Sequence, residues 1–164
     1  MPSFPEPHFT EALAGGIPYQ LLHFSIDQVD FVAVFASIDT SDAEYSAFRA
    51  AEVGFQVPGD SYDIKFDTLE NYNNGTFYAA PGDDGAFRLL GFTGLRRLSA
   101  ALRTCVDLHY RTYGAKLYIA VAENARLVKF YDRLVCKTTT VIDYEVINNL
   151  GQDGTAYAIK TPSF

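Results

Sequence analysis

Tryptophan is absent from this 164-residue chain, and methionine occurs once. The core must therefore rest on eleven Tyr, thirteen Phe and the aliphatic side chains of a composition that is 48% hydrophobic. Only two cysteines occur, Cys105 and Cys136. Neither belongs to a Cys-x-x-Cys pair and histidines are scarce nearby, which argues against a structural zinc site. They read as buried thiols of a reducing compartment. No apolar run reaches the ~18 residues of a membrane helix. The opening Met1-Pro-Ser-Phe-Pro-Glu-Pro-His8 lacks the basic and apolar regions of a secretory signal. Walker loops, Gly-x-Ser-x-Gly elbows and His-Glu-x-x-His pairs are also missing, so the nucleotidases, serine hydrolases and zinc peptidases built on them find no support.

Basic residues are few but concentrated. The overall charge is −7. Between Arg88 and Lys137 there are ten Lys or Arg against three acids (Asp107, Glu123, Asp132), a local +7, and the remainder of the chain carries −14. Such a block can hold an anionic ligand or dock an acidic partner, and it can equally be a set of solvated helix faces. Nucleic acid is the poorer partner, because the basic helices lack the interleaved exposed aromatics of a single-strand groove.

The length suits one domain with a full core. Residues 1–18 read as an extended Pro-rich arm ending at Gly15-Gly-Ile-Pro18, and residues 19–164 as the domain. The first strand is expected at Tyr19–Phe24. Ser25-Ile-Asp-Gln28 resembles a capping box, followed by Val29, Val32, Ala33 and Ala36 at helical spacing. Ser41-Asp-Ala-Glu44 opens a second expected helix, with Ala47, Phe48 and Ala51 inward and Gly54 as its left-handed cap. Tyr62, Ile64 and Phe66 then alternate with polar residues, as a half-buried strand does.

Asn74-Gly75 is read as a turn, Thr76–Ala80 as a strand, Asp83-Asp-Gly85 as a hairpin turn and Ala86–Phe92 as the returning strand. The longest helix should run from about Leu95 to Tyr113, buried along Leu95, Leu98, Leu102, Val106 and Tyr113 and stopped by Gly114, with Arg96, Arg103 and Arg111 off that stripe. A strand over Lys116–Ala122 follows, then a helix from Asn124 to Val135. Leu127, Tyr131 and Leu134 form its inner side, while Arg126, Lys129 and Arg133 make a basic stripe at i, i+3, i+7. Val141–Ile147 and Thr155–Lys160 read as a terminal antiparallel hairpin. The order β-α-α-β-β-β-α-β-α-β-β is that of a mixed α/β (α+β) single domain.

This order, with Asn124 seven residues before Tyr131 on a strand-turn-helix unit, resembles the GNAT family of N-acetyltransferases. The resemblance implies a mixed central sheet with two splayed parallel strands, here about Thr76–Ala80 and Leu117–Ala122, and acetyl-CoA lying between them. It implies a pyrophosphate cradle of backbone N–H groups where the following helix begins. The segment matching that loop is Arg88-Leu-Leu-Gly91-Phe-Thr93, followed by Gly94. Arg88 and Gly91 fit, whereas Thr93 stands where a small residue must let phosphate approach. By the same resemblance Asn124 would hold the cofactor arm and the Tyr131 hydroxyl would protonate a departing thiolate. Asn124 as a helix N-cap and Tyr131 as a core aromatic explain the two residues equally well. Glu70 and Asp67 are the nearest candidates for a base. His109, mid-helix, reads as a partly buried helix residue.

A nearer resemblance runs from Gly75-Thr-Phe-Tyr through Asp84-Gly-Ala-Phe-Arg-Leu-Leu, a long basic helix, Tyr118-Ile-Ala-Val, Asn124, Leu127, Lys129 and Phe130, to a final Gln152-Asp-Gly turn. It is to the small acetyltransferase-like internal virion proteins of short-tailed bacteriophages (podoviruses), whose pyrophosphate loop is similarly eroded. It implies a non-catalytic virion or assembly component in the particle or the host cytoplasm. Its partners would be other virion proteins or further copies of itself, met through Arg126, Lys129 and Arg133, with no cofactor and no membrane. The alternative it leaves is an acetyl-CoA-dependent N-acetyltransferase acting on a host protein or small amine.

Overall fold

The computed structural model describes residues 8–75, 85–123, 125–135 and 142–164, with backbone only over 85–89. It is a mixed α+β fold. The elements are β1 (Thr10–Ala14), β2 (Ile17–Ile26), β3 (Val29–Ser37), α1 (Ala43–Val53), β4 (Ser61–Thr68), α2 (Leu69–Asn73), α3 (Gly85–Tyr113), β5 (Leu117–Val121), α4 (Ala125–Val135), β6 (Glu145–Leu150) and β7 (Ala156–Lys160). The seven strands form one sheet in the order β1-β2-β3-β4-β5-β7-β6. Every neighbouring pair is antiparallel except β4 and β5. β5 and β6 each run antiparallel to β7 and so parallel to each other. The crossovers β4-α3-β5 and β5-α4-β6 therefore travel the same way across the sheet, and right-handed crossovers put both helices on one face.

Strand alternation divides the core between the faces. Tyr118 and Tyr157 point toward α3 and α4, into a cluster with Phe24, Phe31, Phe35, Leu98, Leu102 and Leu127. Leu117, Ile119 and Ala158 point the other way, against Val53 of α1, Ile38 and Val57. Arg49 pins α1 there. Only 6% exposed, it donates through both terminal nitrogens to Asp63 of β4, one bond being 2.7 Å. Glu52 Oε2 lies 2.9 Å from Arg49 Nε but off the hydrogen-bond axis, so this is an ion contact that leaves both atoms without a hydrogen bond.

Several expectations are corrected. The helix expected after Ser25 is strand β3. Asp27 (φ 47) and Gln28 (φ 71) form a two-residue hairpin turn, and the Ser25 hydroxyl donates to Asp30 across it. The apparent helical spacing is a subset of a run apolar on both faces, which periodicity cannot assign. Asp42, not Ser41, caps α1, accepting the Tyr45 N–H at 2.9 Å. Ala47, Phe48 and Ala51 face outward, while Arg49 and Val53 face the sheet. Gly54 does close the helix in the left-handed conformation, at φ 81.

The strand expected over Ala86–Phe92 is the first part of α3, whose two segments meet at a kink at Gly91. Its φ of 57 and ψ of −169 belong to a region open essentially to glycine alone. Part of the expected N-terminal arm, Thr10–Ala14, is an edge strand paired to β2. β6 starts at Glu145, later than expected, and bulges between Ile147 and Leu150. Thr76–Ala80, Asp83 and Asp84 lie outside the described residues, as do Cys136 and Val141.

Candidate functional site

β4 and β5 pair over three positions only, Ser61 with Leu117, Tyr62 with Tyr118 and Asp63 with Ile119. Beyond them β4 continues to Thr68 alongside β3, and no pairing joins it to β5. The sheet is notched there. The parallel partner of β5 is thus Ser61–Thr68 rather than the expected Thr76–Ala80.

On the α3/α4 face, aromatic rings of α4 cover β4 beside the notch. Phe66 packs on Phe130 (ring centroids 5.7 Å) and on Tyr131 (6.1 Å). Next to them, between α3, α4 and the sheet, is a cavity of about 470 Å³, within the size range of small-ligand sites. Phe35, Phe66, Leu102, Val106, Tyr131 and Tyr157 line much of it, with Arg103 and Asp143 as its ionic groups.

Two of its three phenols are committed. Tyr157 donates to Asp132 Oδ1 at 2.7 Å, and Tyr144 donates to Asp107 Oδ1 at 2.7 Å. Burial, followed by these bonds to carboxylates, raises both hydroxyls above the ordinary phenol range. The Cys105 thiol on the wall is likewise pushed up by burial and stays protonated. The cavity can enclose an apolar group, but the Cys105 thiol and the Tyr144 and Tyr157 phenols held in this way supply neither nucleophile nor base at neutral pH.

The expected site residues are only partly brought together. Tyr131 is buried at 6% exposure and borders the cavity. Gly91 is the kink, Thr93 is exposed and Gly94 is buried. The Arg88 side chain and all of Asn124 lie outside the described residues. Arg126, Lys129 and Arg133 are exposed along α4. Asp67, one of the two base candidates, is 5% exposed and accepts the Thr68 N–H (2.7 Å) and the Asn71 side-chain amide (3.0 Å), so it braces the entry to α2, whose N-cap is Thr68. Glu70 is exposed on α2. Among the described residues no group of three or more His, Cys, Asp or Glu could hold a metal ion.

Sequence reasoning missed the groups that determine the loop. A Cβ added to Gly94 would meet Leu90 Cβ at 2.7 Å and lie 3.4 Å from Asp27 Oδ2. Asp27, on the β2-β3 turn, pairs with Arg97 one turn into the post-kink helix. A carboxylate therefore stands against the start of this helix and engages its second cation, Arg97. Seventy residues separate the pair, and nothing local in the sequence announces it.

His109 is more deeply enclosed than its mid-helix position implies. It is wholly buried, and its ring nitrogens lie 2.8 Å from Tyr118 Oη and 2.9 Å from Gln20 Oε1. Since Gln20 presents an oxygen, Nε2 carries the proton and donates, while Nδ1 accepts from Tyr118. Phe35 stacks on the ring at 4.1 Å and Tyr113 at 4.6 Å, with Phe9 and Tyr62 edge-on. Burial depresses its pKa to about 3. This neutral, enclosed histidine joins β2, α3 and β5.

No family model, curated protein or solved structure matches the chain.

Proposed function

We propose that the chain is a non-catalytic protein of the GNAT-like fold, an internal virion or assembly component of a podovirus that acts through protein contacts. The observation carrying this reading is the packing of Phe66 on Phe130 and Tyr131 beside the β4-β5 notch, where the resemblance would lay acetyl-CoA. The Asp27 carboxylate against Gly94 adds to it. A pyrophosphate approaching the post-kink helix would meet an anion there, with Arg97 already engaged, so these residues do not fit the cofactor. The parallel, diverging β4-β5 pair and the α3 and α4 crossovers support the fold resemblance. The exposed Arg126, Lys129 and Arg133 supply a docking stripe.

Mass spectrometry of purified phage particles tests the assignment. The chain should be found in stoichiometric amounts, and particles that assemble normally with no copies of it would sink the reading.

A second reading, an N-acetyltransferase with Tyr131 as general acid, draws on the position of that side chain at the cavity wall. Thiol release from acetyl-CoA with an amine panel, falling at least tenfold in Tyr131→Phe, would favour it.

A further inference from the structure

The two faces of the sheet are covered by helices of opposite character. On one side α1 is preceded by exposed Asp39 and Asp42 and carries exposed Glu44, while its single cation, Arg49, is buried against Asp63. Its outer surface also shows Ala47, Ala51 and Phe48, the last 66% exposed. On the other side α4 exposes Arg126, Lys129 and Arg133, and α3 exposes Arg96 and Arg111. Phe92, 70% exposed, lies one turn before Arg96. Three acids lie within this basic block, Asp107 and Asp132 accepting hydrogen bonds from Tyr144 and Tyr157 and Glu123 exposed ahead of α4, and the ten cations outnumber them. Each face thus carries an exposed phenylalanine together with exposed charge mainly of one sign, and interfaces draw on both kinds of group.

We propose that the chain associates with further copies of itself head to tail, the acidic α1 face of one copy seating on the basic α3/α4 face of the next. This rests on the reading of the α4 stripe as a docking surface and names what it docks. Charge complementarity selects the occupant: the same molecule carries both surfaces, and two like faces brought together would repel. Because the surfaces lie on opposite sides of one sheet, the contact is heterologous and builds rings or open stacks rather than a closed two-fold dimer. Phe48 and Phe92 lose their solvent exposure in the contact.

Sedimentation velocity of the full chain is the test, run at ~0.01 M salt, where charges act over about 30 Å, and at ~1 M, where they act over about 3 Å. Species larger than a dimer should grow with concentration at low salt, with association at least ~10-fold weaker at high salt. Arg126→Glu/Lys129→Glu/Arg133→Glu should be monomeric, as should Glu44→Lys/Ala47→Lys/Ala51→Lys, each with an unfolding transition like the parent's. An equimolar mixture of the two should associate again, because each supplies the face that the other lacks. A parent chain that stays monomeric at low salt overturns the proposal, as does salt-independent association or a dimer that grows no further. The particle measurement then still decides the docking reading by itself.

Discussion

Two buried polar regions lie along the same helix and are built in opposite ways. Around His109, in the C-terminal half of α3, five aromatic rings close on the imidazole and both of its nitrogens are paired. Around Tyr131, one to two turns earlier on the α3 side, packing stops short and leaves about 470 Å³ between Leu102, Val106 and the α4 side chains. The first region has a histidine, the side chain most often expected to do chemistry, and it is structural. The second has the space of a ligand site, but its phenols Tyr144 and Tyr157 are bound to carboxylates. Titratable residue type is therefore a poor guide to function here. Occupied hydrogen-bonding capacity and filled volume separate the two regions better.

The comparison breaks most visibly at His109. Replacing it with alanine removes a fully buried ring and orphans Gln20 and Tyr118. Each orphaned group costs about 1–3 kcal/mol, and the vacated volume adds to that, so His109→Ala should lose about 3–5 kcal/mol in urea unfolding. A loss under ~1 kcal/mol would show that the aromatic box collapses or rehydrates freely.

Acid should act on the same region with a smaller effect. The folded pKa is about 3, against ~6.5 for an unfolded histidine. Between these values the unfolded chain binds the extra proton, so stability is complete above pH 6.5 and declines as pH falls toward 3. From pH ~6.5 to ~5 the loss should be about 2 kcal/mol. The decline should be absent from His109→Phe when its unfolding is followed across the same pH range. An equal decline in that variant would assign the effect to other groups.

The smallest effect belongs to the hollow region. Ala120 on the cavity wall should accept isoleucine at a change within about 1 kcal/mol. Ala101, fully buried on α3 in the packed part of the same cluster, should lose about 1–3 kcal/mol as leucine. Equal costs at the two positions would mean that the cavity is closed in solution.

The second half of the chain was more legible than the first, and the reasons are local. β5, α4 and β7 each carry a clear period, with Leu127, Tyr131 and Leu134 on one side of α4, and Gly114 ends α3 with φ 65 as the sequence implies. β3 was read as helix because a strand covered on both faces has no alternation to display, and Asp27-Gln28 is not the usual Asn-Gly or Asp-Gly of such turns. α1 was rotated in the sequence reading because Arg49 is held inward by Asp63 while Phe48 is exposed, an inversion that residue type cannot reveal. The resemblance sets Thr76–Ala80, outside the described residues, beside β5, whereas the parallel pairing seen there is with β4 and joins residues more than fifty positions apart. Tyr131 was placed correctly as inward. What surrounds it, and the Asp27-Arg97 pair at the kink, arises from contacts made only in the folded chain.

Titration calorimetry of the purified chain with acetyl-CoA, with desulfo-CoA alongside, meets the central claim most directly. With aromatic packing beside the notch and Asp27 at the kink, no heat of binding should be detected up to ~1 mM ligand, weaker than about −4 kcal/mol. Binding at ~1 μM, or about −8 kcal/mol, abolished in Asn124→Ala, would contradict the account and return the chain to the acyltransferases.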